Sequence, residues 1–401
     1  MNDFSKLSPF SHKELLPQEE MLEVERKKGK LFIGIPRETQ YNERRVCLTP
    51  DAVQVLIANG HEVMIESNAG LGANFSDKEF SEAGAKVSHD TKEIFACNLV
   101  LKVAPPTLEE ISWMKPKSFL ISTLQLNTRK QEYFDALSKK GISAIAMDKL
   151  KDNEGSTPVL TTLSEIAGTT SILIAAELMS NVNSGNGLML GGVAGVSPTE
   201  IVIIGAGVVA EYAAKAAIGL GATVKIFDNS ITRLRKIQDA LGQRVFTNTI
   251  HPKVLTKALR RCEVLIGAVR SEGRSPSIVS EEMVELMKDG AVIIDVSIDS
   301  GGIVETSEIT SHDVPTKIKH GVIHYGVPNI PSRVSRTASL SISNYFTPYL
   351  LDIADRGGIE SVIPNDKGLR AGVYLFKGVL TSKAVGEYFE IPYKDIDLLM
   401  F

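Results

Sequence analysis

The stretch IVIIGAGVVA, residues 201–210, decides the fold. Its four leading apolar residues predict a buried strand, and the pattern GxGxxA follows where the chain would enter a helix. At such a junction Gly205 permits a tight turn, and Gly207 lets the main chain approach a pyrophosphate. The small Ala210 lets the helix lie close to the strand, and the helix N-terminus faces the phosphates. The stretch therefore predicts a dinucleotide-binding βαβ unit.

An acidic residue, Asp228, ends the next predicted strand, TVKIFD at 223–228. A carboxylate at that position can accept hydrogen bonds from both ribose hydroxyls and would repel a 2′-phosphate, which favours NAD over NADP. The alternative is that the glycines serve packing alone and that Asp228 merely caps the following loop. Strand, glycine pattern, helix and acid in this order favour the NAD site.

The rest of the chain continues this alternation. From Leu31 onward, short apolar runs alternate with longer amphipathic stretches, which indicates βα units and parallel sheets. A capping-box pattern at 162–165 opens a long apolar run, so we predict a buried helix over 161–181. The glycine-rich residues 187–197 would form a hinge before the second series of βα units. After Pro331 we predict only helices.

The composition describes a two-domain globular protein. The chain of 401 residues exceeds the length at which a single core stops growing, and 43% of the residues are hydrophobic. The formal charge of −4 provides no basic field, so nucleic acid is not an expected partner. The sequence has none of the usual metal-binding patterns, so we predict no metal site.

Cysteine content and hydropathy indicate the compartment. The three cysteines, Cys47, Cys97 and Cys262, lie far apart, which favours reduced, cytoplasmic surroundings over a disulfide scaffold. We find no signal-peptide pattern in the polar residues 1–30, and the longest apolar runs fall short of the ~20 residues that span a bilayer. We therefore predict no membrane association.

Five blocks of sequence resemble the alanine dehydrogenase and transhydrogenase α-subunit family. The resemblance as a whole extends over nearly everything after Leu31, and the GGVAGV and IDSGG segments favour the alanine dehydrogenase branch. The blocks lie at 33–53, 160–168, 188–207, 291–302 and 325–332. The resemblance implies an α/β fold in which a Rossmann dinucleotide-binding domain is inserted into a second Rossmann-like α/β substrate domain.

The resemblance also implies domain boundaries and an activity. Residues 1–30 would be an N-terminal extension, 31–160 and 338–401 the substrate domain, and 161–337 the NAD-binding domain. Family members oxidise L-alanine with NAD to pyruvate and ammonium, reversibly, in the cleft between the domains, and they are commonly homohexamers. We therefore expect an NAD-dependent oxidoreductase of the alanine dehydrogenase type that assembles as a homo-oligomer.

Individual residues acquire roles through the resemblance. Arg45 matches the arginine that holds the substrate carboxylate, a task suited to its planar donors, although in isolation it could form a solvated ion pair. Asp299 matches the catalytic aspartate of the cleft, although it could simply form a turn. The positions expected to line NAD are Ser164, Gly205, Gly207, Val208, Val209, Ala210, Asp228, Arg233, Val269, Val296, Asp299 and Asn329, among which the valines could instead be core.

Two residues that the family usually carries are absent. Alanine dehydrogenases place a lysine two residues after Lys102, where this chain has Ala104, and a proton-donating histidine where it has Gln125. A glutamine can hydrogen-bond a carbonyl but cannot exchange a proton near neutral pH. Lys102 would share a strand face with Ala104, so it could reach the vacated space, or it could be a surface cation.

These departures shape the predicted site. We expect Gln125 to occupy the catalytic position of the histidine, and Lys102 and Asn329 to join Arg45 in binding the substrate. Asp299, or a water that it holds, would transfer protons. Two other functions stay open: a transhydrogenase α-subunit, which lacks the same lysine and histidine, and an NAD-binding sensor or scaffold without catalysis.

Overall fold

The computed structural model describes residues 29–40, 42–183, 185–270 and 275–400. Except for Gly29 and Lys30, the predicted N-terminal extension lies outside the described residues.

The first sheet takes strands from both ends of the chain. Its strands are β1 (Phe32–Ile35), β2 (Glu62–Glu66), β3 (Lys86–Ser88), β4 (Leu99–Leu101), β5 (Phe119–Ser122), β6 (Ser143–Ala146), β14 (Val373–Phe376) and β15 (Val379–Leu380). They lie in the order β15-β14-β6-β5-β4-β1-β2-β3. Strands β1 to β6 run parallel, whereas β14 lies antiparallel to both β6 and β15.

The second sheet is built from the middle of the chain. Its strands are β7 (Glu200–Ile204), β8 (Thr223–Phe227), β9 (Phe246–Asn248), β10 (Val264–Gly267), β11 (Val292–Asp295), β12 (Thr316–Lys319) and β13 (Val322–Tyr325). They lie in the order β12-β13-β11-β10-β7-β8-β9, and only the β12–β13 pair is antiparallel. The central strands are buried along almost their whole length, as expected when helices cover both faces of a parallel sheet.

Fourteen helices connect or cover these strands in the described part of the chain. They are α1 (Pro50–Ala58), α2 (Asp77–Glu82), α3 (Thr91–Phe95), α4 (Leu108–Trp113), α5 (Gln131–Lys139), α6 (Pro158–Leu178), α7 (Val208–Gly219), α8 (Ile231–Leu241), α9 (Pro252–Leu259), α10 (Glu281–Glu285), α11 (Ser335–Asp355), α12 (Ile359–Val362), α13 (Lys367–Gly372) and α14 (Lys383–Phe389). The architecture confirms the predicted pair of α/β units, while the predicted domain boundaries stay a prediction.

Helix α6 lies between the two sheets and packs against α7 and α11. It passes α7 closely at Gly168, where a Cβ would lie 2.4 Å from the carbonyl oxygen of Val209. This close approach fixes α6 against the first turn of α7, next to the glycine pattern. By length and composition alone α6 could cross a membrane, and here ten of its residues are buried within the protein.

Two local predictions were wrong. The predicted capping box at 162–165 lies inside α6, which begins four residues earlier at Pro158, and the Thr162 hydroxyl donates to the Pro158 carbonyl. A Pro at the first helical position is a start signal in its own right. The prediction of a purely helical C-terminus missed the hairpin β14–β15, in which Lys377 and Gly378 both have positive φ. Such a two-residue turn between apolar runs is typical of a hairpin.

Candidate active site

The glycine pattern lies between β7 and α7. Gly205 has a φ of +113°, and a Cβ there would lie 2.3 Å from the carbonyl oxygen of Ala268, so the fold itself requires this glycine. Gly207 precedes α7 with a φ of −94°, and no atom of the described residues lies within 4 Å of a Cβ placed on it. Packing therefore explains Gly205 and does not explain Gly207. The open space over Gly207 fits the close approach of a pyrophosphate.

Asp228 follows β8 and stands beside this loop. Its Oδ2 accepts a hydrogen bond from the Ala206 N–H at 2.8 Å, and its Oδ1 accepts one from the Ser230 N–H at 2.7 Å. It therefore orients the glycine loop as well as capping the loop before α8. A carboxylate has about four lone-pair sites, so both oxygens keep the capacity to accept ribose hydroxyls.

The other predicted NAD positions surround the same sheet edge. Ile204, Gly267 and Asp295 are in register at the ends of β7, β10 and β11, so the segments that follow them leave the sheet together. There the Ser297 hydroxyl donates to the Val269 carbonyl at 2.7 Å. Of the remaining positions, Ala210 is buried, Ser164, Val208, Val209, Val269 and Val296 are half-buried, and Arg233 is exposed.

Asp299 lies in the tight turn Ile298–Ser300 after β11. The fully buried Asp295 holds this segment, because its carboxylate accepts the Ser297 N–H at 3.1 Å and the Ile303 N–H at 2.9 Å. The Asp299 carboxylate itself accepts the Ser300 hydroxyl at 3.4 Å, so a catalytic and a turn-forming role of Asp299 both stay predictions. Asp299 remains accessible to solvent, but the protein around it removes hydration and raises its pKa to about 6, while Arg270 acts in the opposite direction.

Gln125 lies opposite this turn. The short helical turn Leu126–Thr128, directly after Gln125, contacts the turn Ile298–Ser300. Gln125 adopts a left-handed backbone with a φ of +46° and a ψ of +52°, which is uncommon for residues other than glycine. The Thr128 hydroxyl donates to the Gln125 carbonyl at 2.9 Å and stabilises this conformation. The structure thus brings Gln125 close to the Asp299 turn.

Arg45 is buried, so the alternative of a solvated ion pair is wrong. Its Nε and Nη2 donate to the two carboxylate oxygens of Glu43 at 2.7 and 2.6 Å, and the two side chains are 5% and 2% exposed. Burial alone would raise the pKa of Glu43, but Arg45 outweighs it and lowers that pKa to about 2. In the part of the chain that the structure describes, Nη1 of Arg45 has no hydrogen-bond partner.

The Arg45 segment is joined to the second sheet through Asn329 and its neighbours. The Asn329 amide donates to Glu43 Oε2 at 3.5 Å, and the Arg44 N–H donates to the Ser332 hydroxyl at 2.8 Å. Asn329 is 8% exposed. The predicted substrate residues Arg45 and Asn329 therefore meet through Glu43.

A cavity of about 300 Å³ opens at Arg45. It is large enough for a small carboxylic acid, and all of its lining residues belong to the part of the chain that forms the first sheet. Its walls are formed by Arg37, Glu38, Glu43, Arg44, Arg45, Asn68, Ala69, Leu71 and Gly72.

Family models match both halves of the chain. The model described as "Alanine dehydrogenase/PNT, N-terminal domain" matches residues 34–167, and "Alanine dehydrogenase/PNT, C-terminal domain" matches residues 171–383. This chain belongs to the alanine dehydrogenase/PNT family. The predicted family, fold class and enzyme class are confirmed.

Two alanine dehydrogenases agree with this membership. The alanine dehydrogenase of Bacillus subtilis (strain 168) is 42% identical over 358 residues, which cover 88% of this chain and 94% of the relative. A solved L-alanine dehydrogenase superposes with a TM-score of 0.83 at 38% identity and covers 89% of this chain and 99% of its own. A transhydrogenase from Sinorhizobium meliloti, at a TM-score of 0.74 and 23% identity over 88% of this chain and 99% of its own, shares the fold.

Lys102 is buried, so the alternative that it is a surface cation is wrong. The residue follows β4, and its side chain is 0% exposed. Its amino group donates to Glu38 at 2.6 Å and lies 3.9 Å from Glu110 on α4. Glu38 also accepts the Val103 N–H at 2.6 Å and, at 3.3 Å, the N–H of Ala104, the position where the family usually has a lysine.

Three acidic residues of the site escaped the sequence-based prediction. Glu38 and Glu43 hold Lys102 and Arg45, and Asp295 holds the turn that carries Asp299. The proximity of Glu43 to Arg45 in the sequence is a signal that could have indicated an ion pair. Glu38 is 64 positions from Lys102, and nothing in the local pattern links them.

Proposed function

We propose that this protein catalyses the reversible, NAD-dependent oxidative deamination of L-alanine to pyruvate and ammonium. The observation that carries the proposal is the buried guanidinium of Arg45. Glu43 fixes it at two nitrogens, and it stands in the wall of a cavity with Nη1 left for a carboxylate. A planar donor group held in this way suits a small 2-oxo or 2-amino acid.

Three features of the chain support NAD as the cofactor. Gly207 leaves room for a pyrophosphate, the first turn of α7 presents main-chain N–H groups, and Asp228 offers acceptors for a ribose. When bound, NAD accepts the hydride that leaves the carbon carrying the amino group. Val208 and Val209 at α7, and Val269 and Val296 at the strand ends, would then exclude water from the dinucleotide.

Asp299 is the proposed base at the reacting carbon. Its pKa of about 6 leaves it ionised at neutral pH but close enough to exchange a proton. Gln125, in contact with the Asp299 turn through its neighbours, can donate a hydrogen bond to a carbonyl oxygen but cannot supply a proton. Losing a general acid typically lowers a rate about 10²- to 10⁴-fold, so we expect slower turnover than with a histidine.

A second candidate function, hydride transfer between two nicotinamides, is favoured by Ala104 and Gln125. At both positions the chain lacks a side chain that would act on an amino acid, as expected of a protein with that function. An NAD-binding protein without catalysis would tolerate the same losses.

One assay separates these functions. NADH oxidation is followed with pyruvate and ammonium, and again with an acetylpyridine analogue of NAD as the hydride acceptor. Turnover that requires both pyruvate and ammonium supports the dehydrogenase. Turnover only between nicotinamides supports hydride exchange, and NAD binding without either reaction supports a sensor.

We also propose that the protein is a cytoplasmic homohexamer. The segment before β7 exposes apolar side chains, among them Val182 (90%), Met189 (60%), Val193 (55%) and Val196 (65%). Exposed apolar side chains that recur within one segment favour an interface between subunits. The three buried free cysteines suit a reducing compartment. Light scattering at several concentrations would test the assembly, and a monomer at all of them would contradict it.

A further inference from the structure

Five charged side chains form one buried cluster behind the cavity. Three are carboxylates, Glu38, Glu43 and Glu110, and two are cations, Arg45 and Lys102. The exposed fraction of each side chain lies between 0% and 7%. The Arg45–Glu43 and Lys102–Glu38 contacts, each at 2.6 Å, make two ion pairs. Glu110, 3.9 Å from the Lys102 amino group, is the third acid.

The cluster has one acid more than it has cations. Arg45 and Lys102 stay protonated, because their partner carboxylates raise their pKa values despite burial. Glu43 stays ionised, with its pKa lowered to about 2. The neighbouring Cys47 stays a neutral thiol, because burial and Glu38 raise its pKa. With every carboxylate ionised, the cluster carries a net charge of −1.

Glu38 differs from Glu43 in that burial outweighs the neighbouring cation and leaves its pKa raised. Burial raises its pKa, Lys102 opposes this, and Glu43 adds to it. Unlike Lys102, Glu38 also lines the cavity at Arg45. The remaining charged groups at the cavity, Arg37 and Arg44, are exposed, so solvent and salt screen them. A substrate carboxylate would add a second uncompensated negative charge to a buried site, which is unfavourable.

We propose that Glu38 takes up one proton when a carboxylate binds beside Arg45, and that it supplies this proton to the carbonyl oxygen that leaves as water. This inference rests on the proposed function. Protonation keeps the combined charge of the cluster and the bound carboxylate at −1. The Glu38 carboxyl then stands in the cavity wall as an acid, which neither Gln125 nor Ala104 can be.

The stoichiometry of reductive amination uses this proton. Pyruvate, ammonium, NADH and one proton give alanine, NAD and water. The C=O bond breaks, a C–N bond and a C–H bond form, and the carbonyl oxygen leaves as water. Ammonium supplies one hydrogen of that water, and the proton held by Glu38 supplies the other. The nicotinamide gives up two electrons with the hydride, so charge and atoms balance.

Binding of oxamate, an unreactive analogue of pyruvate, tests the proposal. Calorimetry with NADH-saturated protein at pH 7.5, in buffers of different ionisation enthalpy, counts the protons taken up. We expect up to about one proton per oxamate, and an affinity that falls about tenfold per pH unit above the pKa of Glu38 in the free protein. Oxamate binding without proton uptake would overturn the proposal and leave the carboxylate site intact.

Two variants assign the proton. Glu38→Gln should bind oxamate with no proton uptake and with little dependence on pH. The matched control is Glu66→Gln, a buried glutamate at the end of β2 that accepts the Arg37 N–H and lies outside the cluster. It should take up the same number of protons as the natural protein. Uptake that persists in Glu38→Gln would overturn the assignment and move the proton to a group such as Asp299.

The two proposals can fail separately. If Glu38→Gln does not fold, the proton count of the natural protein still decides whether binding and protonation are coupled, and Glu38→Asp, which keeps a carboxyl, should retain the uptake. Absence of both oxamate binding and ammonium-dependent turnover would overturn the proposed function together with this inference.

Discussion

The substitution Gly207→Ala should weaken NAD binding without weakening the fold. A φ of −94° is open to any residue, and the new methyl group meets no atom of the described residues within 4 Å. Alanine is a poorer N-cap than glycine, but it lowers the conformational entropy of the unfolded chain. These effects oppose each other, so we expect the free energy of unfolding to change by less than about 1 kcal/mol.

The binding effect of Gly207→Ala follows from the same open space. A methyl group there would hold the pyrophosphate away from the N–H groups at the start of α7. Losing one hydrogen bond to a charged group costs about 1.5–3 kcal/mol, or about 10- to 150-fold in the dissociation constant. Fluorescence titration with NADH measures this constant, and urea unfolding measures the stability. An NADH affinity within about twofold of the natural protein's would refute the placement of the pyrophosphate.

The matched variant, Gly205→Ala, should do the reverse. Its φ of +113° is strained for alanine, at a cost of roughly 1–3 kcal/mol, and the Cβ would also clash with the Ala268 carbonyl at 2.3 Å. We therefore expect a clear loss in the free energy of unfolding. Equal stability of the two variants would contradict the distinction between a glycine needed by the fold and one needed by the ligand.

Four further variants test individual roles. Asp228→Ala should weaken NAD binding about 10- to 100-fold and reduce the preference for NAD over NADP, measured by titration with both reduced coenzymes. Arg45→Lys should raise the KM for pyruvate about tenfold or more, because lysine cannot bind Glu43 and a carboxylate with a planar fork; steady-state kinetics would show it. Alanine oxidation should fall as the pH drops below about 6, where Asp299 gains its proton, and a pH profile of Asp299→Asn should lack this limb. Ala104→Lys should remove the proton uptake on oxamate binding, measured by the same calorimetry.

The parts of the site that follow directly from local sequence were predictable. The strand, the glycine pattern and Asp228 lie within 28 consecutive residues, 201–228. The tight turn, the close approach of the main chain and the acidic strand end each need a residue type that can be recognised in the sequence. The surface that joins Arg45 to Asn329 was accessible only through the family resemblance. These residues are separated by most of the chain, and their contact runs through Glu43, 286 positions from Asn329.

The buried acids were unpredictable for a physical reason. In a sequence, Glu38 is one of many glutamates, and glutamate is usually exposed. Its burial depends on Lys102 and on the N–H groups of Val103 and Ala104, which the end of β4 brings beside it. For the same reason, the sequence alone allowed Lys102 to be interpreted as a surface cation. Burial of either residue alone would be unfavourable, so only the folded pair explains both positions.

The absence of a lysine at position 104 leaves Glu38 with Lys102 as its ion-pair partner among the described residues. A lysine there would add a cation beside Glu38, because the Ala104 N–H already approaches that carboxylate at 3.3 Å. The cluster, then of six charged residues, would be neutral, and a substrate carboxylate could enter without a proton. With alanine in its place the cluster has a charge of −1, and a proton on Glu38 restores the balance that the missing cation would have provided. The same substitution that removes a substrate contact thus creates an acid in the cavity wall, and Ala104→Lys should suppress that acid by stabilising the ionised form of Glu38.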